Sequence, residues 1–465
     1  MKKEFDISSF TDYEKVEGQY TDSFIKNNYC LKYSENEECV QLILVRGHEA
    51  DDSLLSFIHP LKKIKKIYVS ESQFTEFIGN VLEEKKTNLT FKNDKAIDFN
   101  LETISNDAPI INIINAICIG AIKRKASDIH VQTQKDFIAV RYRIDGVLLT
   151  VKQLNLSIAQ TLISRIKVMA GLNLMENRLP QDGRISVNYE GQIIDFRVSI
   201  LPSVKGYSLV LRLFNNKSYV YSLDELGFSD GNLKKIKSFI KIPYGLLLVT
   251  GPTGSGKTTT LHSMIKEMDL EHLKIVTIED PVEREIDGVD QVQVNEEIGL
   301  TFENVLRRIL RQDPDVIMVG EIRDHETAEL AVRAALTGHV ILSTLHTNDS
   351  VSSITRLKNL GIEKYLISSV LRGCIAQRLV RKFCPECHGK GCVKCDKTGY
   401  SGRTVVSEVF EVDETVCEYI NQGLTDAEIL TKLKASGFKT LRNDAESKRK
   451  NKITDLKELE REALL

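Results

Sequence analysis

Apolar positions along the chain change their spacing several times, and each change predicts a different kind of element. Val40-Gln-Leu-Ile-Leu-Val45 reads as a strand, and helix-like stretches at 52–58 and 72–82 complete a small α/β module over about Tyr29 to Glu84. Residues 83–100 are charged and poor in apolar side chains, as a linker is. Behind Asp107 and Pro109, Ile110, Ile113, Ile114, Ile117 and Ala121 recur at helical spacing, which predicts a helix with one buried face. Phe137-Ile-Ala-Val-Arg-Tyr-Arg-Ile144 alternates with period two and ends in the hairpin pair Asp145-Gly146, so Arg141 and Arg143 lie opposite Val140 and Tyr142. The polar run Asn215–Ser218 precedes Ser222-Leu-Asp-Glu225, a capping-box pattern that predicts a new helix and a domain boundary near 218. Beyond it, apolar runs at Leu246–Thr250, Ile275–Ile278, Val316–Val319 and Val340–Leu342 alternate with helical stretches, the pattern of an α/β domain built on a parallel sheet. The expected organisation is a module with its linker over 1–95, a smaller sheet domain over 96–218 and a larger α/β domain over 219–465.

Length agrees: 465 residues make about three units at roughly 150 residues each. With 63 Lys plus Arg against 65 Asp plus Glu, the net charge of −2 argues against a protein whose task is to coat nucleic acid. The short basic runs at Lys62–Lys66 and Lys448–Lys450 are expected on solvated faces. The longest apolar stretch, Ile110–Ile122, is broken by Asn112 and Asn115 and falls short of the ~20 residues a bilayer requires. No apolar run follows Lys2 and Lys3, so no secretory signal is expected, and the predicted location is the cytosol.

The strand-like Leu246–Thr250 runs directly into Gly251-Pro252-Thr253-Gly254-Ser255-Gly256-Lys257-Thr258, a G-x-x-x-x-G-K-[ST] loop in strand-to-helix context. Its glycines let backbone N–H groups close around a β-phosphate, Lys257 brings a positive charge to the phosphates, and Thr258 offers a hydroxyl to Mg2+. Thr259 continues the helix start. A phosphate cradle also needs carboxylates at strand ends to hold the metal and orient water. One group, Glu279, Asp280 and Glu283, closes the run beginning at Ile275, and Glu321 follows the run Val316–Val319 where a general base belongs. Gly320 stands where a magnesium-binding Asp is usual, so the metal leans on Thr258, water and the first carboxylate group. Thr337–Asp349 is a further strand with His339 at its start and His346 at its end; His346 is placed to hydrogen-bond a γ-phosphate.

Nine cysteines are too few for a disulfide scaffold at this length, yet four of them fall in Cys384-Pro-Glu-Cys387 and Cys392-Val-Lys-Cys395. C-x2-C-x4-C-x2-C supplies two bites on one ion, and four thiolates make a closed, structural Zn2+ site over the loop 384–403. Cys30, Cys39, Cys118, Cys374 and Cys417 are isolated and read as small core or surface residues.

Taken together, these strings resemble the secretion ATPases of type II secretion systems and type IV pilus assembly. The resemblance runs from about Ala126 to Leu465. It includes Ala126-Ser-Asp-Ile-His130, Arg141–Gly146, Ser164–Gly171, Leu179-Pro-Gln-Asp-Gly-Arg184, Asp195-Phe-Arg-Val-Ser199, the phosphate loop, an aspartate box over Glu279–Glu283, Gln312–Asp324 and a histidine box over Thr337–Asp349. It implies a homohexameric motor hydrolysing ATP with Mg2+, in which a RecA-like P-loop domain follows a smaller sheet domain and ATP lies in the cleft between them. Arg197 and Arg212 match arginines that the family supplies to the phosphates, Glu321 would activate water, and Gly320 is the family's own usage. The tetracysteine loop is typical of the assembly and secretion branch, which favours extrusion over retraction. The implied partners are an inner-membrane platform protein and the cytoplasmic domain of an inner-membrane assembly protein, the latter docked by the N-terminal module, so contact with the membrane is peripheral. Gly206-Tyr207 departs from the Gly-Glu common in the family, and the loop between the cysteine pairs is short. Two other readings stand beside the motor: a nucleic-acid-translocating RecA-like ATPase of a DNA uptake or conjugation machine, against which the charge balance weighs, and a nucleotide-binding scaffold without turnover, against which Lys257, Thr258 and Glu321 weigh.

Overall fold

A computed structural model describes residues 29–35, 38–47, 62–75, 108–189, 192–214 and 220–465, together with Ile25 and Leu55. The expected linker at 83–100, the run Asn215–Ser218 and most of the helix-like stretches 52–58 and 72–82 lie outside the described residues. The chain divides into two units, Met1–Phe214 and Asn215–Leu465.

Among the described residues the first unit holds two sheets. Strands β1 (Cys30–Glu35), β2 (Cys39–Val45) and β3 (Lys63–Val69) lie side by side in that order, β2 antiparallel to β1 and parallel to β3. Cys30, Val40, Leu42, Leu44 and Leu55 are buried with Ala116 of the helix Ala108–Lys123, while Lys63, Lys65 and Lys66 of β3 face solvent. The second sheet is antiparallel, with β4 (Asp128–Thr133), β5 (Phe137–Ile144), β6 (Val147–Asn155), β7 (Gln181–Tyr189), β8 (Gln192–Ser203) and β9 (Gly206–Phe214) in spatial order β6-β5-β4-β9-β8-β7. The predicted turn joins β5 to β6, with positive φ at both Asp145 and Gly146. Alternation then sorts the side chains. Ile129, Tyr142, Phe196 and Leu211 are buried against Ile114 and Ile117 of the helix Ala108–Lys123 and Leu162 and Ile166 of the helix Ala159–Met169. On the opposite face, Arg184, Arg197, Arg212, Asp128 and Arg143 stand in one cross-strand row over β7, β8, β9, β4 and β5.

The second unit is built on seven strands: β10 (Gly245–Thr250), β11 (Ile275–Glu279), β12 (Asp290–Gln293), β13 (Val316–Val319), β14 (Val340–Leu345), β15 (Leu371–Phe383) and β16 (Tyr400–Glu411). Their order is β12-β11-β13-β14-β10-β15-β16, and every neighbouring pair is parallel except β15–β16. Every residue of β10, β11, β13 and β14 is buried, because helices cover both faces, and that is why these strands read as unbroken apolar runs. Leu246, Leu248, Ile278 and Val319 pack on one side, while Leu247, Val249, Met318 and Leu342 pack on the other.

Three features depart from the sequence expectations. The Ser222–Glu225 capping box forms but opens only a 3-10 turn, Leu223–Leu226, which ends at Gly227; the helix begins later, at Asp230–Phe239. A cap satisfies the first N–H groups and says nothing of how many turns follow. Lys448, expected on a solvated face, is 6% exposed, and its Nζ donates to the Gly227 carbonyl at 2.7 Å. Helical rotation turns Lys448 inward while Arg449 and Lys450 face solvent. The long antiparallel hairpin β15–β16 was not anticipated. It is anchored by Glu458, fully buried, which accepts from Arg381 and Arg461 at 2.7 and 2.6 Å. Burial would raise this carboxyl, but the two guanidinium groups outweigh it and hold the pKa at about 2. Among the described residues no helix is long and apolar enough to cross a membrane.

Candidate active site

The C-terminal ends of β10, β13 and β14 lie next to one another in the sheet, so the segments that follow them are forced together. Strand β10 delivers Gly251–Gly256 and then the helix Lys257–Lys266. Pro252, Thr253 and Gly254 form an exposed crest, Ser255 is buried beneath it, and Gly256, Lys257, Thr258 and Thr259 are half-buried. The Lys257 ammonium donates to the Gly251 and Pro252 carbonyls at 3.0 and 3.2 Å. Burial pushes it below its ordinary range, with the Arg378 guanidinium adding to the effect and Glu321 opposing it. Thr250 stitches the loop to the histidine box: its hydroxyl lies 2.6 Å from the Thr347 hydroxyl and accepts from the Thr347 N–H at 2.9 Å.

Glu321 follows β13. It pairs with Arg323 and stands 3.7 Å from His346 Nε2, while Lys257 is near enough to feel its charge. Gly320 explains the tight placement: its N–H donates to the Ile278 carbonyl at 2.8 Å, and a Cβ there would come within 2.9 Å of that oxygen, so an aspartate has no room. Burial and the Lys257 charge lower the His346 pKa against the pull of Glu321, which leaves the imidazole neutral near pH 7. His339 is structural; its Nδ1 lies 2.9 Å from the Ala334 carbonyl.

Glu279 does not join this group as expected. It is 2% exposed, and its oxygens are taken by His262 Nε2 at 3.0 Å, the Thr277 hydroxyl at 2.7 Å and Gln291 Nε2 at 2.9 Å. Burial acts to raise its pKa, but these hydrogen bonds outweigh it and hold the carboxyl below the usual carboxylate range. The carboxylates of that box that remain open to solvent are Asp280 and Glu283. Sequence reasoning also passed over Arg323, Gln377 and Arg378. Arg323 had a signal, since it sits two residues after Glu321 in the same string; Gln377 and Arg378 had none.

In the first unit, Arg212 Nε donates to Asp128 at 2.8 Å, and Arg143 Nε lies 3.7 Å from the same carboxylate. Asp128 is buried, which acts to raise its pKa, but hydrogen bonds from Arg212 and Ser127 keep it low. The Arg197 guanidinium stacks over Phe214 at 4.1 Å.

The tetracysteine loop closes the β15–β16 hairpin. The four sulfurs of Cys384, Cys387, Cys392 and Cys395 lie within 4.8 Å of one another. Backbone N–H groups point at them, Gly391 at Cys387, and Cys392 and Gly399 at Cys395, over 3.2–3.3 Å. Burial opposes ionisation of Cys395, but the donors from Cys392 and Gly399 outweigh it and lower the thiol to about 6. Four convergent sulfurs with amide donors are the donor set a tetrahedral Zn2+ requires.

The profile of the type II/IV secretion system protein family matches residues 103–461. The chain belongs to that family. It is 45% identical over 347 residues to the type II secretion system protein HxcR of Pseudomonas aeruginosa, spanning 73% of this chain and 74% of that protein. Against the type II secretion system ATPase E of Vibrio cholerae the identity is 44% over 381 residues, or 77% and 76% of the two chains. Among solved structures, the Legionella pneumophila ATPase DotB is similar with a TM-score of 0.59 at 25% identity, covering 75% of this chain and 94% of that one. The pilus retraction motor PilT, solved with bound ADP, gives 0.54 at 29% identity, covering 76% and 96%. The second unit therefore has the RecA-like ATPase fold, and this secretion ATPase hydrolyses ATP to power secretion or pilus assembly. Tyr207 donates to Asn177 Oδ1 at 2.7 Å and lies under the buried Lys167 ammonium, 5.3 Å from the ring centroid, a cation–π contact.

Proposed function

We propose that this secretion ATPase works as a homohexamer that drives pilus or pseudopilus assembly rather than retraction. The observation that carries the catalytic reading is the convergence of Lys257, Glu321 and His346 at three adjacent strand ends. Residues Gly251–Thr259 cradle the triphosphate of ATP, with Lys257 between its terminal phosphates. Thr258, Asp280 and Glu283 would hold Mg2+, which neutralises phosphate charge when bound. Glu321 takes the proton of the attacking water, and neutral His346 hydrogen-bonds the γ-phosphate and registers its loss. Glu279 acts at one remove, as a buried prop for the strand end that bears Asp280. Arg197 and Arg212 meet the developing phosphate charge. Support for them is the row itself: like charges directly opposite across strands repel, and Arg184, Arg197 and Arg212 stand in register with Asp128 as the carboxylate of the row, an arrangement suited to an anion.

In this reading the segment 96–218 is the arginine-supplying domain, 219–465 is the motor, and 1–95 is the docking module with its linker. The docking partner is the cytoplasmic domain of an inner-membrane assembly protein, and the load is an inner-membrane platform protein, so the chain reaches the membrane only through partners. ATPase assays on sized fractions test the assembly. Six-membered rings should turn over several-fold faster per chain than monomers, and faster again with the partner's cytoplasmic domain added. A monomer as fast as the ring, or stimulation by single-stranded DNA in place of the protein domain, would overturn this reading.

The four thiolates hold one Zn2+ that folds residues 384–403, a loop too short to have its own core. Elemental analysis should find about one zinc per chain. Cys387→Ser with Cys395→Ser should remove it and open the hairpin tip to protease. Metal-free protein with the loop still resistant would end the assignment.

A further inference from the structure

Gln377 lies on β15, fully buried, and uses both ends of its amide on the phosphate loop. Its Nε2 donates to the Ser255 carbonyl at 2.7 Å, and its Oε1 accepts from the Thr260 hydroxyl at 2.8 Å. Ser255 precedes the helix Lys257–Lys266 and Thr260 sits in its first turn, so one side chain spans the segment that carries Lys257 and Thr258. The strand passes close beneath the loop: a Cβ at Gly251 would come within 2.5 Å of the Gln377 carbonyl oxygen, and one at Gly256 within 3.2 Å of Nε2. The next residue, Arg378, reaches the other way and donates to the Asn348 carbonyl at 3.1 Å, so neighbouring residues of β15 hold both the phosphate loop and the histidine box.

The peptide plane supplies the consequence. In a trans peptide the carbonyl of one residue and the N–H of the next point in opposite directions. With the Ser255 carbonyl drawn toward β15, the Gly256 N–H is turned away from the strand, toward the hollow where the loop's N–H groups gather on an anion. We propose that Gln377 is a positioning residue for nucleotide binding, which fixes the Ser255–Gly256 peptide so that the Gly256 N–H faces the phosphate. This rests on the phosphate loop being the nucleotide site.

Gln377→Met keeps the length and the packing but removes the donor. Isothermal calorimetry with MgADP should show affinity about tenfold weaker, with KM for ATP raised by a similar factor and kcat changed less, the loss expected when one buried donor no longer aligns a binding group. Gln377→Glu keeps the shape, sets a carboxylate against the Ser255 carbonyl, and should weaken binding at least as much. It asks the same question should Gln377→Met fail to fold. Thr260→Val removes the other hydrogen bond and leaves the Ser255 peptide held, so its affinity should stay within about threefold of wild type. Loss in the Gln377 variants alone supports the assignment. Equal losses at 377 and 260, or affinity within twofold of wild type in Gln377→Met, would overturn it. Lys257→Ala serves as the control: binding as tight as wild type there would count against the nucleotide site itself.

Discussion

Glu321→Gln should arrest hydrolysis while leaving ATP bound. The glutamine keeps the shape that β13 and Gly320 impose and still accepts from Arg323, but it cannot take a proton from water. General-base catalysis is worth about 10²–10⁴-fold, so turnover should fall by that factor while affinity for a non-hydrolysable analogue stays within a few-fold. Lys257 loses the Glu321 charge that opposes its burial, so its ammonium shifts further in the direction burial already sets. Single-turnover phosphate release, paired with an equilibrium titration, separates the two quantities. Release at the wild-type rate would exclude Glu321 as the base. Simultaneous loss of binding and hydrolysis would make it a structural residue instead.

The elements that were legible in the sequence share one property, which is that their determinants are local. The buried strands β10, β11, β13 and β14 are short apolar runs because a sheet covered on both faces admits nothing else. The phosphate loop is one continuous string, and so are the two cysteine pairs. What was not legible depends on partners distant in sequence or on the handedness of an element. Glu279 and Asp280 look alike in the string, but Glu279 is the last residue of β11 and turns inward to His262 and Gln291, 17 residues before and 12 after, while Asp280 lies beyond the strand and is exposed. The grip of Gln377 on Ser255 spans 122 residues of chain. No periodicity within β15 marks it, since a buried amide in an apolar strand is indistinguishable from an accident until its partners are seen. Gly320 reads as a missing ligand in one dimension. In three it is the close contact with the end of β11 that seats the residue just before Glu321.

Alanine at Arg197 or Arg212 should each lower turnover about 10³-fold, the scale on which an arginine neutralises phosphoryl-transfer charge. The two substitutions should differ in every other respect, and that difference is the sharper test. Arg197 stacks on Phe214 and stands between Arg184 and Arg212 in the row, so its removal trades a cation–π contact against relief of cross-strand repulsion and should shift the unfolding midpoint little. Arg212 is the cation that hydrogen-bonds the buried Asp128 at 2.8 Å. Its loss leaves that carboxylate with Ser127 and a more distant Arg143, and should cost about 1–3 kcal/mol of stability. Asp128→Asn frees Arg212 from its anchor without removing it, so turnover should fall less than in Arg212→Ala, with KM rising more than kcat falls. Steady-state kinetics and thermal unfolding on the three purified variants read both axes. Wild-type turnover in both alanine variants would refute the arginine roles.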